Sequence, residues 1–62
     1  MPMKPRELIR VLMQNGFIEK SQRGSHLKMY NPFTNVTVLI PIHAREMKKG
    51  TENAILKQAG LK

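Results

Sequence analysis

The 62-residue chain has no cysteine and no aspartate. Without thiols it has no disulfide framework and no thiolate zinc site, and it suits a reducing compartment. Its two histidines, His26 and His43, stand far apart, and its four glutamates are scattered, which makes a poor set of metal ligands. Long apolar runs are also missing. The longest, VLIPI at 38–42, is far too short to span a bilayer. The opening MPMKPREL lacks the apolar core of a secretory signal. There is no glycine-rich phosphate loop. These absences predict one small cytoplasmic domain, residues 1–62, with no membrane segment and no cofactor. A chain of this size buries only about 60% of its unfolded surface, so its core is thin.

Acid is scarce and base is plentiful. Eleven Lys and Arg face four acidic residues, for a net charge of +7. Lys20, Arg23 and Lys28 form one basic group, and Arg45, Lys48 and Lys49 a second. Such a field draws in polyanions, and phosphate contacts of this kind supply most nucleic-acid affinity. An acidic protein partner is equally compatible with the charge, and a solvated surface that keeps the domain soluble is the plain alternative.

The pattern of apolar residues predicts an α-β-β-β-α order. Pro5 and Glu7 suit the first turn of a helix, Leu8, Ile9, Val11, Leu12 and Met13 recur at helical spacing, and Gly16 stops it. LMQNGF and LKQAGL share the same punctuation, so Gly60 ends a second helix, expected to start with Thr51 as its N-cap and Glu52 in its first turn. Phe17 and Leu61 should fold back on Leu12 and Leu56. Between the helices, strands are expected over 18–21, 26–30 and 37–40, the last closed by Pro41, with QRGS and NPFTN as turns. The fold class is α+β: a three-stranded antiparallel sheet with both helices on one face, burying Leu27, Met29, Val36, Val38 and Ile40.

Alternation then places His26, Lys28 and Tyr30 together on the open face. They offer a proton carrier, a fixed cation for phosphate and an aromatic ring for base stacking. Gly24 permits close backbone approach, and Ser25 adds a hydroxyl. Ser25 and His26 are no catalytic triad, because no acidic orienter is evident. The plain alternatives are an exposed strand histidine, a solubilising lysine, a half-buried tyrosine and simple turn geometry at Gly24. His43 reads as a loop residue that hydrogen-bonds the backbone, with a second acid–base group or a phosphate donor as the alternatives. The Gly50-Thr51 helix start, with Lys48 and Lys49 before it, is a possible phosphate seat or merely a cap.

RGSHLKMYNP, followed by VTVLIPIHAREMKKGTENAILKQAGL, resembles the HicA toxins of bacterial and archaeal HicA–HicB toxin–antitoxin modules. The resemblance runs from PRELIRVLMQNGF to the final QAGL. It rests on Gly-Ser-His on the second strand, Pro-x-His after the third, and Gly-Thr opening a helix that ends in ILKQAGL. It implies a fold like the double-stranded-RNA-binding domain and a ribosome-independent mRNA endonuclease whose catalytic histidine is His26. It also implies a HicB antitoxin that covers the site, with operator DNA bound only through the antitoxin complex. Leu27 stands where some members carry a second histidine, which leaves fewer candidates for a general acid. The residues expected to meet RNA are Arg23, Gly24, Ser25, Lys28, Tyr30, Lys48 and Lys49.

Two other classes fit the same residues. One is a double-stranded RNA-binding module without catalysis, reading A-form shape. The other is an interaction protein whose basic face meets an acidic partner. Leu39 bears on the second, since alternation puts it opposite Val38 and exposed there it would mark a contact surface.

Overall fold

The computed structural model describes residues 3–43 and 45–62. Met1, Pro2 and Ala44, which belong to the MPMKPREL and PIHAREMKKG segments, lie outside the described residues. Helix α1 spans Pro5–Gln14, followed by strands β1 (Ile18–Arg23), β2 (His26–Asn31) and β3 (Val36–Pro41) and helix α2 (Lys49–Gln58). The strands form one antiparallel sheet in the order β1-β2-β3. Among the described residues, no helix is long and apolar enough to cross a membrane.

Helix α1 starts with Pro5 in its first turn, where the missing N–H leaves no bond unmade. The Lys4 N–H donates to the Glu7 carboxylate at 3.2 Å. Lysine has no acceptor to offer in return, so only the returning half of a capping box forms. Leu8 and Leu12, one helical turn apart, are fully buried. They meet Leu27, Met29, Val38 and Ile40 from one face of the sheet, and Ile55 and Ala59 of α2 complete the cluster. Both helices therefore cover the same face, as the alternation requires. Val36 packs at the edge of this core and is only half-buried.

The two helices end alike. Phe17 donates its N–H to the Leu12 carbonyl at 3.0 Å and Gly16 to Met13 at 3.2 Å. Leu61 donates to Leu56 at 2.9 Å and Gly60 to Lys57 at 3.1 Å. These are paired Schellman bonds, with the glycine at φ +93° in the first and +79° in the second. The surroundings differ. A Cβ on Gly16 would stand 3.4 Å from the Asn31 and Phe33 side chains, whereas one on Gly60 would meet open space. Gly60→Ala should therefore cost about 1 kcal/mol from the left-handed backbone alone. Gly16→Ala should cost a similar amount, since its Cβ would only just touch its neighbours and the positive φ is the shared cause. Urea midpoints check this, and a much lower midpoint for the Gly16 variant would refute it.

Five boundaries differ from the sequence reading, among them the end of β2, which takes in Asn31 from the expected NPFTN turn. Helix α2 starts at Lys49 with Lys48 as N-cap, so Thr51 lies inside its first turn. The cause is a long-range tie. Met3 donates its N–H to the Glu52 carboxylate at 2.9 Å and accepts from the Met47 N–H at 3.0 Å. With Met47 buried, this fixes where the chain enters the helix. The first hairpin turn is only Gly24-Ser25, and Gln22 and Arg23 belong to β1. Strand β3 includes Val36 and Pro41, and Pro41 is tolerated there as the last residue of an edge strand.

Candidate nucleic-acid interface

The open face of the sheet is a grid of three rows. Arg23, His26 and Pro41 stand opposite one another across β1, β2 and β3. Ser21, Lys28 and Leu39 form the second row, and Ile18, Tyr30 and Thr37 the third. Directly paired residues share a face, so each row points the same way. Ser21, Arg23, His26, Lys28 and Leu39 line a shallow depression of about 680 Å³.

Arg23 joins this face because of one irregularity. The register slips between Glu19 and Ser21, leaving Lys20 as an extra residue in β1. Strict alternation from Ile18 would send Ser21 and Arg23 toward the helices and Gln22 to the open side. The inserted residue reverses that phase, so Gln22 pairs with Leu27 and Arg23 with His26. Charge alone points to Arg23, whereas Ser21 gives no signal in the sequence, since only the bulge reveals its side.

His26 and Lys28 are exposed on the central strand. The short turn holds the histidine end in place, because the Ser25 carbonyl accepts the Ile42 N–H at 2.8 Å, tying the hairpin to the residue after β3. Ser25 Oγ lies 3.4 Å from His26 Nδ1. In the tautomer with Nδ1–H donating to Ser25, Nε2 carries the free lone pair.

Tyr30 is half-buried, and its hydroxyl donates to Asn35 Oδ1 at 2.8 Å. The Lys20 ammonium lies over its ring, 4.7 Å from the centroid. This cation–π contact occupies one face of the ring. Gly24 lies in the turn beside His26. Lys48 and Lys49 are exposed at the start of α2, in the layer that covers the other side of the sheet. The structure thus gathers Arg23, Ser25, His26, Lys28 and Tyr30 around one face. His43 is exposed just beyond β3. Among the described residues, no group of three or more His, Cys, Asp or Glu is placed to hold a metal ion.

Leu39, opposite Lys28, is 54% exposed. It is an apolar side chain inside a basic depression, where a leucine gains nothing from the protein's own core.

Residues 5–61 match the family described as HicA toxin of bacterial toxin-antitoxin. No curated protein matches the chain.

Proposed function

The chain belongs to the HicA toxin family of bacterial toxin–antitoxin systems and has the toxin's role, and from that premise we propose that it is an mRNA endoribonuclease acting through His26. The observation that carries this reading is the exposed imidazole flanked by Arg23 and Lys28 in one depression. An imidazole works as a base near neutral pH without a cofactor, and fixed cations beside it suit a phosphodiester.

In the proposed reaction, His26 Nε2 takes the proton of an RNA 2′-hydroxyl. The 2′-oxygen bonds to the adjacent phosphorus, and the bond from phosphorus to the 5′-oxygen breaks. That oxygen leaves with a proton from water. Arg23 and Lys28 stabilise the negative charge that builds on the phosphoryl oxygens. The products are a 2′,3′-cyclic phosphate and a 5′-hydroxyl. End-group analysis of RNA cut by the purified protein in EDTA checks this route. A 5′-phosphate end, or activity that returns only with Mg²⁺, would refute it.

A toxin of this kind needs its face covered until release. A HicB-type antitoxin is the proposed partner, with operator DNA reached only through that complex. The exposed Leu39 favours a contact surface on this face as well.

A further inference from the structure

Within the depression the open face is polarised across its strands; the third row, with Ile18 on β1 and Thr37 on β3, lies outside its lining. The β1 side of the depression supplies Arg23 and Ser21, the central strand His26 and Lys28, and the β3 side Leu39, with Pro41 beside it as the cross-strand partner of His26. We propose that RNA lies on this face in one lateral order: phosphate over Arg23 and Ser21, ribose over His26, and nucleobase against Leu39 and Pro41. The inference rests on the ribonuclease reading and adds to it where the base sits.

Three observations support this order. Neighbouring strands lie roughly 4.8 Å apart, so the β1 and β3 rows are separated by roughly 10 Å, comparable with the breadth of one nucleotide. Arg23 and Ser21 donate hydrogen bonds suited to phosphate oxygens, while Leu39 and Pro41 offer only apolar surface. Tyr30, the other candidate platform, has the Lys20 ammonium on its ring and its hydroxyl committed to Asn35. A lone exposed leucine ordinarily means nothing. Leu39 differs because it lines the same depression as the histidine and faces Lys28 directly.

An apolar wall reads no hydrogen-bonding edge. The site should therefore demand a base while discriminating weakly among the four.

The test compares a short RNA with a fully abasic ribose-phosphate chain of the same length. Binding is read by fluorescence anisotropy to His26→Ala protein, so that nothing is cut. Protein with Leu39 intact should bind the base-bearing strand about tenfold tighter than the abasic one. Adding Leu39→Ala, or Leu39→Thr to retain strand propensity, should remove that difference. Arg23→Ala should weaken both strands alike and lower the salt dependence by about one phosphate contact. If Leu39→Ala weakens both strands equally, or neither, the base placement is wrong. If its only effect is lost binding of a HicB-type antitoxin, Leu39 belongs to a protein interface and the proposal is overturned. Cleavage by protein with His26 intact is scored separately. Cutting without Leu39-dependent base preference leaves the ribonuclease reading standing alone. Base preference without cutting supports the placement and removes the catalysis. Failure to bind either strand overturns the placement.

Discussion

His26→Ala is expected to lower RNA cleavage by about 10²–10⁴-fold, the range typical of one general acid–base group. The fold should survive the change. His26 is exposed, and its backbone stays in the ladder between Arg23 and Pro41 whatever side chain it carries. The loss should therefore fall on chemistry rather than on folding. Cleavage rates in EDTA, compared at matched circular dichroism, separate the two. Retained RNA binding with lost cutting would support His26 as the base. Equal cutting by both proteins would move the chemistry elsewhere, with His43 the next residue to replace. Loss of neither binding nor any measurable activity, because the unaltered protein never cuts, would favour a module that only binds.

Asn31→Leu should be the most destabilising single substitution among the polar residues, by about 2–4 kcal/mol. Asn31 is 4% exposed and ends the central strand. Its Oδ1 accepts the N–H groups of Phe33 at 2.8 Å and Thr34 at 3.3 Å, which shapes the turn into β3. Its Nδ2 donates to the Asn15 carbonyl at 3.2 Å, at the end of α1. One amide thus serves a hairpin turn and a helix terminus. Leucine matches its size but leaves all three backbone groups without their partner at part-buried bonds that only Asn31 completes. A domain of this size has roughly 3–9 kcal/mol to lose. The check is urea unfolding of the variant beside Tyr30→Phe, which removes only the hydrogen bond to Asn35 and should cost about 1 kcal/mol. Equal midpoints for the two variants would show that the amide is not the junction described.

The parts of this molecule legible in its sequence are those that local chemistry decides. Gly16 and Gly60 mark both helix ends, because only glycine takes the left-handed turn there without penalty. The alternation of Leu27 and Met29 with His26, Lys28 and Tyr30 gives the two faces of β2 directly. What the sequence hides depends on distant partners. Thr51 makes a plausible cap, but Met3, bonded to both Met47 and Glu52, sets an earlier start. That Lys20 lies over the ring of Tyr30 is likewise invisible until the bulge in β1 is placed. Asn31 reads as a turn former, and its role at the end of α1 appears only when residues far apart in the chain meet. At the site, His26 and Lys28 were readable from β2 alone, while the arrival of Ser21 and Arg23 beside them needed the register of a second strand.

The extra residue in β1 also bears on solubility. All six residues of β1 are exposed, and it forms one edge of the sheet. A straight edge strand presents an even row of unpaired N–H and C=O groups on which another copy of the chain would dock. The bulge breaks the spacing of that row midway and places a lysine at the break. An overproduced toxin with such an edge is expected to resist assembling into ribbons with itself, leaving the strand free for whatever partner is built to fit its irregular outline.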